Sequence, residues 1–226
     1  MLEKIKKNKG MVIFALLLVV CLVFAGVATY TTYKKENPDP PSVEDIKEVI
    51  VQGGVEKQAN SNDLQYSISK KQVTILGFKE ETTTFTLVTI PEKIEGYPVV
   101  AIADGAFKNC LFLETIVLGN EIKTVGTGAF ENCPKLKMVV FGTSTETIKE
   151  NAFNSCVALS SVSLGNGIKT VEKGAFKNTS VKSVFFPDSI EFVADDAFEK
   201  SITVVGKNGG YAENWSVKNN TKFKAY

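Results

Sequence analysis

Residues 113–133 read LETIVLGNEIKTVGTGAFENC, and the block after them, 136–156, reads LKMVVFGTSTETIKENAFNSC. Two more blocks continue the pattern, LSSVSLGNGIKTVEKGAFKNT at 159–179 and VKSVFFPDSIEFVADDAFEKS at 181–201. An Ala-Phe pair recurs at 106–107, 129–130, 152–153, 175–176 and 197–198, in steps of 23, 23, 23 and 22 residues. Such a fixed period marks a repeat architecture. Each block opens with apolar residues at its first, fourth and sixth positions: Leu113, Ile116, Leu118; Leu136, Val139, Phe141; Leu159, Val162, Leu164; Val181, Val184, Phe186. The last two of each set are two apart, as on one face of a short strand. A second pair follows at Ile122 and Val125, Ile168 and Val171, and Ile190 and Val193, with Thr145 in the isoleucine position ahead of Ile148. One block buries about five to seven large side chains at ~1.5–3 kcal/mol each. Ordering its backbone costs ~1–2 kcal/mol per residue. A single block cannot stand alone, so the blocks must stack and share buried faces.

The repeats resemble the BspA-like leucine-rich repeats of bacterial surface proteins, with their L-x-x-V-x-L strand, I-x-x-I step and G-A-F-x-x-C or N-A-F-x-x-C close. The resemblance covers residues 64–226. It includes the opening segment YSISKKQVTILGFKEETTTFTLVTIPEKIEGYPVVAIADGAFKNC (66–110) and the closing segment GKNGGYAENWSVKNNTKFKAY (206–226). In the closing segment Gly206 and Gly209 fit a turn, Ala212 and Trp215 a short helix, and Phe223 a last strand; Gly210 and Trp215 depart from the usual serine and tyrosine. The resemblance implies an α/β repeat solenoid, right-handed and of leucine-rich-repeat type, with a short parallel β-sheet. It also implies a protein partner, since the family includes adhesins.

Ahead of the repeats, MVIFALLLVVCLVFAGVATYTTY (11–33) carries no charge. Its first ~20 residues span about 30 Å as a helix, enough to cross a bilayer. Lys4, Lys6, Lys7 and Lys9 precede it against Glu3, which places the N-terminus inside and the rest outside. Length favours a retained anchor. A signal peptide cleaved after Gly26-Val27-Ala28 and a lipoprotein using Cys21 are the competing readings. The expected organisation is a cytoplasmic stub (1–10), a transmembrane signal anchor (11–33), a proline-rich stalk with a short helix at 42–52 (34–62), the repeats (63–205) and a C-terminal cap (206–226). The expected location is the cell membrane, single-pass, with the C-terminal domain extracellular.

The chain contains no histidine, which removes histidine-based acid–base and nucleophile arrangements and histidine-ligated metal sites. A net charge of +1 without a basic stripe argues against nucleic acid. Cys110, Cys133 and Cys156 stand 23 apart, which stacks them in a row as small buried thiols rather than converging them on a metal. Asp195-Asp196 fall in a variable turn, and Gly119-Asn120, Gly142 and Gly165-Asn166 in strand-ending turns. No catalytic, cofactor-binding or metal site is expected, and no enzyme. A partner would meet the outward residues of the strands, on a concave sheet: Val117, Val140, Ser163 and Phe185 in one row, and Thr115, Met138, Ser161 and Ser183 in the next. Adhesion outside the cell and a structural or sensor role in a same-membrane assembly both fit such a face. For the anchor, the expected outcome is retention in the membrane fraction after carbonate washing, with the C-terminus open to added protease. A soluble product beginning near Thr29 establishes cleavage instead.

Overall fold

The computed structural model describes residues 58–59, 61–79 and 84–225. The anchor at 11–33 and the helix at 42–52 lie outside these residues. Among the described residues, no helix is long and apolar enough to cross a membrane. Residues 56–226 form one compact unit.

Each full turn of this unit contributes two short strands, which ladder with the equivalent strands of neighbouring turns. The first strands are β4 (Leu87–Thr89), β7 (Thr115–Val117), β9 (Met138–Val140) and β11 (Ser161–Ser163). With the edge strand β1 (Gln58–Ala59) they form a parallel sheet in the order β1-β4-β7-β9-β11. The second strands are β6 (Tyr97–Ile102), β8 (Thr124–Val125), β10 (Thr147–Ile148), β12 (Thr170–Val171) and β14 (Phe192–Val193). They form another parallel ladder, closed at one end by the hairpin of β2 (Leu64–Ser69) and β3 (Gln72–Phe78). The small strand β5 (Lys93–Ile94) pairs back on β6. The hairpin turns on Lys70 and Lys71, both at positive φ (50° and 61°), as a two-residue type I′ connection requires.

The expectation of α/β repeats needs correction. The turns are a β-solenoid, and the Ala-Phe segment that returns the chain to the first sheet is a run of tight turns. The cause is local. Gly105, Gly128, Asn151 and Gly174 have positive φ, and so do Asn109, Asn132, Ser155 and Asn178 four residues later. A right-handed helix cannot absorb two left-handed residues in one turn's length. Close approach adds a second constraint at the exit of the first sheet. A Cβ on Gly142 would lie 2.3 Å from the carbonyl oxygen of Gly119 in the preceding turn.

All twelve inward first-strand residues named above are buried, as are Ile122, Val125, Thr145, Ile148, Ile168, Val171, Ile190 and Val193. Between the two sheets the Ala-Phe phenylalanines form a column. Ring centroids of Phe107, Phe130, Phe153, Phe176 and Phe198 follow each other at 5.2, 5.1, 5.1 and 4.9 Å, with interplanar angles of 9°, 2°, 7° and 8°. Phe78 meets one end edge-on at 5.0 Å, and Trp215 meets the other at 6.5 Å.

The C-terminal helix α1 (Tyr211–Asn219) seals the last turn. The exposed edge of β14 would leave Val193 unpaired. Instead its N–H donates to the Tyr211 hydroxyl at 2.8 Å, and its carbonyl accepts from Trp215 Nε1 at 2.9 Å. Strand β13 (Ser183–Phe185) continues into β15 (Thr203–Gly206) and β16 (Lys222–Ala225) as a separate parallel sheet. Its outer strand carries Lys222 and Lys224, charges that discourage edge-to-edge pairing. A continuous core closed at both ends gives residues 56–226 what they need to fold alone.

One core position is imperfect. Thr145 is fully buried, and its hydroxyl has no hydrogen-bond partner, in a column otherwise held by Ile122, Ile168 and Ile190. Replacing a lone buried hydroxyl by a methyl of the same shape removes an uncompensated desolvation cost of ~1 kcal/mol or more. In residues 56–226 produced alone, Thr145→Val is expected to raise the thermal midpoint by ~2–4 °C, read by circular dichroism.

Candidate protein-binding face

The outward residues of the first sheet form two rows because the parallel strands pair in register. One row is Leu87, Thr115, Met138, Ser161, and the other is Thr89, Val117, Val140, Ser163. The expected rows continue through Ser183 and Phe185, and here the structure differs. No ladder joins β11 to β13; Ser183 and Phe185 are registered instead with Thr203 and Val205 of β15. The reason is one missing residue. Nine residues separate Phe107 from Ile116, Phe130 from Val139 and Phe153 from Val162, but eight separate Phe176 from Val184.

Exposure along the face is also graded. Ser163 and Ser183 are exposed, and Thr115, Met138, Ser161 and Phe185 are half-buried. Val117 is 0% and Val140 9% exposed, so the expectation that both line an open surface is corrected. Val117 stands between Thr89 and Val140, each one strand spacing of about 4.8 Å away. Leu87, at 2%, is buried in the neighbouring row. None of Leu87, Val117 and Val140 belongs to the main core cluster. The accessible part of the face therefore runs from Met138 towards Ser183.

The remaining sequence candidates fall in turns. Asp195 is exposed, and its carboxyl is held below the usual carboxylate range by a hydrogen bond from Lys218 at 2.9 Å and another from Asn219. It ties a turn to α1 and faces no second carboxylate in a pocket. Asn120 accepts from the Thr143 N–H at 3.2 Å and donates to Glu92 at 3.1 Å, linking one strand exit to the next. At the cap, Phe186, Pro187, Asp188, Lys207 and Tyr211 line an open cleft of about 270 Å³, under the size usual for ligand sites. No group of metal-ligating side chains converges among the described residues.

The cysteines stack as expected and are unbridged. Cys133 Sγ donates to the Phe107 carbonyl at 3.1 Å and Cys156 Sγ to the Phe130 carbonyl at 3.0 Å. Cys110 begins the row and is only half-buried. Hydrogen bonding with Cys133, then burial, pushes the Cys110 thiol well up. For Cys133 the contact with Cys110 pulls down, while Cys156 and burial pull up, and the thiol ends at about 12.

Sequence comparison settles the family. Residues 77–205, more than half of the chain, match the BspA-type leucine-rich repeat in six copies. The chain belongs to the BspA-type leucine-rich-repeat family. Among solved structures it is similar to a leucine-rich repeat protein from Bacteroides ovatus (28% identity, TM-score 0.58, 66% of this chain and 40% of that one). It also resembles in fold a leucine-rich cell surface protein from Faecalibacterium prausnitzii (23%, 0.59, 69% and 40%) and the pneumococcal vaccine antigen PcpA (16%, 0.55, 74% and 49%). The chain spans less than half the length of each of these. No curated protein matches it.

The BspA-type turn thus places its thiols in a stacked column between backbone carbonyls. The raised thiols of Cys110 and Cys133 stay protonated in the folded state, so their contribution to stability is complete below ~pH 8.5, and that of Cys133 is lost as pH rises towards 12. Iodoacetamide at pH 8 is expected to leave Cys133 and Cys156 of the folded repeats unlabelled. In denaturant without reductant it should modify Cys110 as well as both of them, read by mass spectrometry; a bridged pair contradicts the assignment.

Proposed function

We propose that this BspA-type chain is a surface-displayed binding module. In this reading residues 11–33 hold it in the bacterial membrane, and the repeats stand outside and take a protein partner on the outward face of the first sheet. The observation that carries the reading is the in-register ladder of β4, β7, β9 and β11, which lines up equivalent outward side chains of successive turns. A family of repeat proteins with one relative described as a cell surface protein supports the location. Half-buried Met138 beside Ser161 and Ser163 offers an apolar centre with a polar border, the usual composition of an interface patch.

The test uses Met138→Ser together with Ser163→Arg. Both positions point away from the core, so the thermal midpoint should move by no more than a surface change allows, ~0.5 kcal/mol equivalent. Partner binding should fall at least tenfold, measured on immobilised matrix proteins for adhesion and by pull-down from detergent extract for a same-membrane partner. Unchanged affinity in both assays removes this face.

A further inference from the structure

A second surface goes beyond that reading. Where the Ala-Phe segment turns back towards the first sheet, Leu111 is 56%, Phe112 42% and Val157 56% exposed, with half-buried Pro134 between them in the same column. Leu111, Pro134 and Val157 are equivalent residues of consecutive turns, so they form a continuous ridge at strand spacing. Ser180 takes that position in the next turn, where its hydroxyl donates to the Val157 carbonyl at 2.7 Å. The fold therefore places no demand for an apolar residue there. Lys135 lies 5.0 Å from the centroid of the Phe112 ring.

Charge around this ridge is one-sided. Segments 108–114, 131–137, 154–160 and 177–182 hold five lysines against two glutamates. Both glutamates are already paired, Glu131 with Lys108 at 2.7 Å and Glu114 with Lys137 at 2.6 Å. That leaves Lys135, Lys177 and Lys182 as the surplus, against one further acid, Glu199 of the next turn, which accepts from the Asn178 N–H at 2.9 Å. At the opposite corner, where the chain passes from the first sheet to the second, segments 91–95, 119–123, 142–146, 165–169 and 187–191 hold six acids against three lysines. The array is thus a transverse dipole whose positive edge is also its greasy edge.

We propose that this edge rests on an anionic lipid bilayer, with Leu111, Phe112 and Val157 at the headgroup boundary and Lys135, Lys177 and Lys182 over the phosphates. Protruding apolar side chains ringed by lysines suit a lipid interface, where each part has its own layer. The acidic corner is turned away from the same surface, which fixes the orientation.

The test is co-sedimentation of residues 56–226 with phosphatidylcholine vesicles and with mixed phosphatidylcholine–phosphatidylglycerol vesicles. Binding is expected on the anionic vesicles alone and should weaken as salt is raised. Leu111→Ser with Val157→Ser, and separately Lys135→Glu with Lys182→Glu, should each reduce it about tenfold with the circular dichroism spectrum unchanged. Met138→Ser with Ser163→Arg should bind vesicles like the parent, which keeps this surface distinct from the sheet face. No binding to anionic vesicles, equal binding to neutral ones, or variants that bind normally overturns the proposal. So does loss of a protein partner in the Leu111 and Val157 variant without vesicle binding in the parent, which assigns the ridge to a protein.

Discussion

The stacked phenylalanine column ties the molecule together, because it makes the aromatic repeat equal to the backbone repeat. Parallel strands lie ~4.8 Å apart. The rings follow each other at 4.9–5.2 Å, nearly parallel and necessarily offset. Two sheets and one ring column can therefore advance by the same step without strain. Phe78 and Trp215 then meet the end rings edge-on, where a further parallel ring would have nothing beyond it.

The left-handed residues follow from the same constraint. Putting one phenylalanine inward in every turn requires the chain to reverse twice within a few residues, and Gly128 and Asn132 are the residues that tolerate it. Asn132 also donates to the Asn109 amide oxygen at 2.7 Å, so the side chains that permit the turn also join it to its neighbour. Ser155 interrupts that column, and Asn154 replaces it by accepting from Asn178 at 3.1 Å.

Much of this was legible in the sequence. The 23-residue period, the inward residues, the short first strand and the stacked cysteines can be read from spacing and side-chain type, because stacking translates a period directly into columns; the helix-then-strand cap is what the family resemblance implies. The second strand was less visible: Thr124–Val125 is two residues long, below the length at which alternation can be recognised. The break between β11 and β13 has a sequence trace in the single missing residue, but its effect on pairing depends on three dimensions. Burial on the outward face at Val117 and Val140 is not legible in the sequence, because alternation states which way a side chain points, not what lies against it. The exposed ridge has a trace too, in Leu111 and Val157 between each cysteine and the next inward leucine, positions with no role in the repeat pattern.

The way α1 ends the array bears on how such chains change over evolutionary time. Tyr211 and Trp215 bind the N–H and carbonyl of Val193, backbone groups that every second-sheet strand presents at the same place. The aromatic end contacts are likewise made to a phenylalanine that each turn possesses. A duplication or deletion of one whole 23-residue block leaves these terminal contacts nothing new to accommodate. The 22-residue step from Phe176 to Phe198 keeps the ring column and the second ladder but ends the first ladder at β11, so a block of another length costs strand pairing. Gene segments of that one size are thus the units by which this fold can lengthen or shorten its surface while keeping both ends intact.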